Sequence, residues 1–136
     1  MIARDSNDNL IGRAEIERIE NYGEEQLDQL PFGAIRLDRD GNILSFNRAE
    51  VEITGRKKEK VVGKNFFTEV APCTNVQEFA GRFREGVQAG KLHTVFPYVF
   101  DFEMEPRQVW VTLFYSNETD SAWVFVRDDR RVSRPD

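Results

Sequence analysis

Apolar positions change their spacing several times along the chain, and each change marks an element. In the first thirty residues they are sparse. Ile11, Ile16 and Ile19 stand among charges, and Gly23 breaks the segment. Leu27 and Leu30 share one helical side of Glu24–Leu30 before Pro31 stops it. Short, weakly apolar helices docked on something larger are the reading. From Phe32 the pattern tightens. Phe32–Asp38 (FGAIRLD) and Ile43–Phe46 are predicted strands, and the Asp40-Gly41 turn between them signals a hairpin. Asn47 followed by Glu50 has the spacing of a capping box, so a short helix is predicted to start there and to stop at Gly55. Phe79, Phe83 and Val87 recur at helical spacing in Asn75–Gly90. Three strands follow: Thr94–Met104, Gln108–Tyr115 and Ser121–Arg127. Pro97 suits an edge position or a bulge in the first of them.

Strands separated by a helical block predict an α+β fold, with one antiparallel sheet of about five strands, flanking helices and an N-terminal helical cap. The expected division is a cap over residues 1–30, a core over 31–127 and a charged, disordered tail over 128–136.

Composition narrows the function classes. The chain has 136 residues, which favours a single domain. It holds one Cys and one His, so an internal disulfide and single-chain Cys₄, Cys₂His₂ or His₃ zinc sites are excluded. No metal site is expected. The net charge of -5 argues against a nucleic-acid partner. No apolar run approaches the roughly 20 residues of a membrane span, and Met1–Asn9 lacks the apolar stretch of a secretory signal. A reducing, cytosolic setting is the default, in which a lone thiol stays free unless something is attached to it.

Few residues carry chemistry. Cys73, in Ala71-Pro72-Cys73-Thr74, is either a small buried hydrophobe or a reactive thiol. The sole base that could serve it, His93, lies in what reads as a solvated connector with no group to orient it, so no enzyme activity is expected. Glu50 is either the capping-box carboxylate or, turned inward among phenylalanines, an acid whose pKa burial raises. Phe46, Phe66, Phe67, Phe96, Phe100 and Trp123 suit an aromatic core.

A collinear set of segments changes the weighting. These are Gln26-Leu27-Asp28, Phe32-Gly33-Ala34-Ile35, Asp40-Gly41-Asn42-Ile43-Leu44, Ile53-Thr54-Gly55-Arg56, Val62-Gly63-Lys64-Asn65-Phe66-Phe67, Val70-Ala71-Pro72-Cys73-Thr74 and Trp123-Val124-Phe125-Val126. Together they resemble the bacterial photoactive yellow proteins, from about Gly23 to Arg127. The resemblance implies a PAS-like fold, a blue-light photoreceptor, and a para-coumaric acid (4-hydroxycinnamic acid) chromophore joined as a thioester to Cys73. It implies that Glu50 is the protonated partner of the chromophore phenolate, Arg56 the lid over its ring and Thr54 part of the phenolate network. Phe66, Val70, Thr74, Phe100 and Met104 fall at pocket or near-pocket positions, and Tyr98 beside the entrance.

One position departs from the resemblance. Where the family usually has a tyrosine that bonds the phenolate, this chain has Phe46. A higher phenolate pKa and absorption at longer wavelength are expected. The implied cycle is light-driven isomerisation, proton transfer from Glu50 and loosening of the cap, read by an unidentified downstream signalling protein. A monomer or weak dimer is expected. The competing reading is a chromophore-less PAS-like ligand-binding or dimerisation module.

Overall fold

The computed structural model describes residues 10–101 and 106–128. Two short helices, α1 (Arg13–Ile19) and α2 (Glu24–Asp28), precede the hairpin of β1 (Gly33–Leu37) and β2 (Ile43–Phe46). Next come α3 (Arg48–Thr54) and α4 (Lys58–Val61), a π-helical turn Phe66–Val70 and a 3₁₀ turn Pro72–Thr74. A second π-helical turn, Gln77–Gly81, runs into α5 (Arg82–Ala89). The strands β3 (Lys91–Asp101), β4 (Pro106–Ser116) and β5 (Ser121–Asp128) complete the order. The predicted helix Asn75–Gly90 is therefore a π turn leading into an α-helix, closed at Gly90 with φ 87°.

The five strands form one sheet in the order β2-β1-β5-β4-β3, and every neighbouring pair is antiparallel. This is the predicted α+β architecture. Pro97 lies on β3, the edge strand, where its missing N–H costs no internal ladder bond.

Period-two alternation sends side chains to opposite faces of the sheet. From β1, Ile35 and Leu37 enter the larger apolar cluster, while Ala34 enters a second one. From β5, Ala122, Val124 and Val126 take the first face, and Trp123 and Phe125 the second. The cap supplies Ile11, Ile16, Ile19 and Leu27 to that second cluster. Phenylalanines therefore serve both faces: Phe32, Phe114 and Phe125 lie under the cap, and Phe46, Phe66, Phe67, Phe79, Phe83, Phe96 and Phe100 lie on the other side. Trp123 is a cap-side residue, stacked on Phe125 at 5.4 Å and 7°.

Ile11 is held by both of its backbone groups. Its N–H donates to Thr112 Oγ1 at 3.2 Å, and its carbonyl accepts from His93 Nε2 at 2.8 Å. This corrects the reading of His93 as a connector residue without a partner, though its solvent exposure stands. It is a strand residue, exposed at the surface, with its ring edge-on to Phe114 at 5.5 Å. Strand β3 starts at Lys91, three residues before the expected Thr94, because the ladder with β4 continues to Lys91–Ser116. At the other end β5 runs through Asp128, the first residue of the expected tail.

Candidate functional site

Glu50 occupies the first turn of α3, which packs on β1. Only half of the capping box forms. Asn47 Oδ1 accepts from the Glu50 N–H at 3.1 Å, but the Asn47 N–H already donates to the Ala34 carbonyl at 3.2 Å. The neighbouring strand has taken the bond that Glu50 would have supplied, so the carboxyl turns inward. It is fully buried, and neither oxygen has a hydrogen-bond partner among the described residues. Burial first, and the charge of Asp128 second, push its pKa up to about 8. The group is a neutral acid at pH 7, with a proton to donate.

Asn47 ties this acid to the cap. Its Nδ2 donates to the Leu27 carbonyl at 2.8 Å and the Phe32 carbonyl at 3.1 Å, while Oδ1 also accepts from the Ala34 N–H at 2.9 Å. The end of α2, the start of β1 and the first turn of α3 thus meet at one buried amide.

Thr54 and Arg56 close the other end of α3. The Thr54 hydroxyl donates to the Glu50 carbonyl at 2.9 Å and accepts from the Arg56 N–H at 3.1 Å. Gly55, at φ 75°, makes the left-handed turn between them. Arg56 is half-buried, and its Nε is buried without a partner among the described residues.

Cys73 sits in the 3₁₀ turn, half-buried and packed against the larger apolar cluster. Phe46, Phe66, Val70 and Phe100 are members of that cluster, and Val51 and Ile53 of α3 pack on it. The same core therefore joins the thiol turn to the acid's helix. Tyr98 donates its hydroxyl to the Cys73 carbonyl at 2.6 Å. Burial first, then the charges of Cys73 and Glu78, hold that phenol above its usual range. Thr74 is fully buried and donates to the Ala71 carbonyl at 2.6 Å. Met104 lies outside the described residues. A cavity of about 630 Å³ opens beside Tyr98, between Val76, Arg82, Phe96 and Val109.

Sequence reasoning did not single out Gly33 or Arg107, and it placed His93 in a connector. Gly33 alone left a signal: a glycine within a strand marks close approach of another group.

The PAS fold pattern matches residues 21–128. The photoactive yellow protein of Rhodothalassium salexigens is 50% identical over 117 residues, covering 85% of this chain and 94% of that protein. That of Halochromatium salexigens is also 50% identical, with the same coverage. The chain belongs to the photoactive yellow protein family. It is thereby a blue-light photoreceptor of PAS fold whose function involves a chromophore. Among solved structures, the photoactive yellow protein domain of the sensor histidine kinase Ppr from Rhodospirillum centenum superposes with a TM-score of 0.78. It is 46% identical, and the match covers 82% of this chain and 98% of that one.

Glu50 and Arg56 each keep a buried polar group unpartnered among the described residues, the first able to donate a hydrogen bond and the second carrying positive charge. Among the described residues no helix is long and apolar enough to cross a membrane.

Proposed function

We propose that Cys73 carries a para-coumaroyl group as a thioester and that Glu50 is the proton donor of the light cycle. When bound, this group supplies a phenolate and a double bond that light isomerises. The observation that carries the reading is the fully buried carboxyl of Glu50, unpartnered among the described residues, with its pKa raised to about 8.

The chain's own residues have the following roles. Glu50 holds its proton in the dark, because two acids sharing an apolar pocket do not both ionise. Arg56 supplies positive charge to the pocket, and Thr54 holds the Arg56 amide to the Glu50 carbonyl. Tyr98 fixes the carbonyl of the attachment residue. Phe46, Phe66, Val70, Thr74 and Phe100 exclude water, and Met104 is assigned with them from the resemblance. Once Glu50 gives up its proton, an uncompensated carboxylate stands in the core, which is a costly state. Asn47 then offers a route outward, since its side chain bonds both the Glu50 N–H and the Leu27 carbonyl of the cap. The cap, residues 1–30, loosens and exposes a surface to a downstream signalling protein. The Rhodospirillum centenum relative is a domain of a sensor histidine kinase, so a histidine kinase is the first class of partner to test.

Intact-protein mass after supply of an activated para-coumarate tests the attachment. The expected result is one coumaroyl adduct that is absent in Cys73→Ala, with a visible band that bleaches and recovers after blue light. A colourless, unmodified protein would favour the chromophore-less PAS-like module.

A further inference from the structure

Arg107 lies at the far end of the Glu50 helix and takes no part in the site described above. From β4, its Nη1 donates to the Ile53 carbonyl at 3.1 Å. Its other edge meets the Asp128 carboxylate, with Nε 3.1 Å from Oδ1 and Nη2 3.5 Å from Oδ2. A two-point guanidinium–carboxylate contact thus joins β4 to β5, and a third N–H reaches the last turn of α3. Ile53 immediately precedes Thr54, whose hydroxyl holds the Glu50 carbonyl. Arg107 therefore fastens one end of the helix whose first turn carries the buried acid.

Asp128 also acts on that acid through its charge. Other charged groups on the elements around α3 are engaged elsewhere or exposed. Arg36 of β1 lies over Trp123 at 5.4 Å, on the cap side. Asp28 accepts from the Arg48 N–H at 2.8 Å and faces Lys58 Nζ at 3.8 Å, and Lys58 also meets Glu24 at 3.4 Å. Arg48 and Glu52, on α3 itself, are exposed. Arg56 and the exposed Lys57, which follow the helix, are further cations at this end.

We propose that Arg107 is a positioning residue for the buried acid: it anchors the C-terminal end of α3 to the Asp128 carboxylate and neutralises the charge of that carboxylate. The pair is partly exposed, with side chains 39% and 36% accessible, so its influence is modest and weakened by salt. The proposal rests on Glu50 being the acid of the site.

The test is the pH titration of the Glu50 carboxyl stretch by infrared spectroscopy in the chromophore-free chain, assigned by its loss in Glu50→Gln. Arg107→Gln leaves Asp128 unneutralised and should raise the midpoint by a few tenths of a pH unit. Asp128→Asn should lower it by a similar amount. Arg107→Lys keeps the charge and should stay close to the unchanged protein; if Arg107→Gln fails to fold, Arg107→Met removes the charge while keeping the apolar stem and should raise the midpoint in the same way. Opposite signs for the two neutralising variants support the proposal, because lost packing alone would not reverse sign. Shifts of the same sign, or none, overturn it. Absence of the band in the unchanged protein at neutral pH overturns the reading of Glu50 itself, and the proposal with it.

Discussion

The carboxyl of Glu50 rests directly against the Cα of Gly33. A Cβ on that glycine would overlap Oε1 and lie 3.1 Å from Cδ. The first residue of β1 is thus shaped around the acid. Gly33→Ala should destabilise the fold by about 1–3 kcal/mol, the usual effect of overpacking. Most of that loss should vanish in a Glu50→Ala background. Urea unfolding of the four proteins of this cycle measures the coupling. Equal losses in both backgrounds would show that the crowding comes from another group.

The burial of Glu50 also makes stability depend on pH. The folded chain titrates this group at about 8, against an ordinary value of 4.5. Between those values the folded state keeps a proton that the unfolded state has released. Stability therefore falls as pH rises through this window and levels off above it. Glu50→Gln removes the dependence. In chromophore-free protein, the stability advantage of Glu50→Gln should grow by several kcal/mol from the bottom of the window to the top. A difference that stays constant with pH in denaturant titrations would contradict the buried-acid assignment.

Phe46 is 1% exposed at the end of β2 and offers no hydroxyl to the pocket. A hydrogen bond to a charged acceptor contributes about 1.5–3 kcal/mol. In the loaded protein, Phe46→Tyr should lower the phenolate pKa by about one to two units and move absorption to shorter wavelength. Spectra and titration unchanged by the substitution would sink the argument.

The cap is latched at Ile11 through Thr112 and His93. Thr112→Val removes the acceptor of the Ile11 N–H while keeping the side-chain shape. That amide should then exchange with solvent faster in hydrogen-exchange measurements, with little change at β5. His93→Phe, which removes the donor to the Ile11 carbonyl, should have the same effect. Unchanged exchange in both variants would place the hold on the cap in its apolar contacts alone.

Tyr98 bonds the carbonyl of Cys73 at 2.6 Å. Tyr98→Phe should lower stability by about 1 kcal/mol in thermal or urea unfolding. It should also slow thioester formation at Cys73, because the attachment turn loses a restraint. Loading at the unchanged rate would limit the role of the bond to stability.

Local pattern carried much of the fold. Alternation, the Asp40-Gly41 turn and the apolar spacing of Phe79, Phe83 and Val87 depend on chain neighbours, and they placed the hairpin, the long helical segment and the three closing strands near their observed positions. The strand order was not legible, because β1 pairs with β5 across most of the chain. Nor could the sequence say which phenylalanines face the cap, since that depends on which side of the sheet each strand turns.

Glu50 shows the division most clearly. Its spacing from Asn47 is a property of the sequence, and the helix start it signalled is real. Whether its carboxyl caps or turns inward was decided by Ala34, which accepts the Asn47 N–H from a neighbouring strand, and by Gly33, which leaves room for the acid. His93 follows the same rule, taking its partner from Ile11 across the sheet. The sequence by itself determined the elements, the single thiol and the family resemblance. Only tertiary structure decided the protonation of Glu50, because the pKa of a carboxyl depends on the burial and charge that distant segments bring to it.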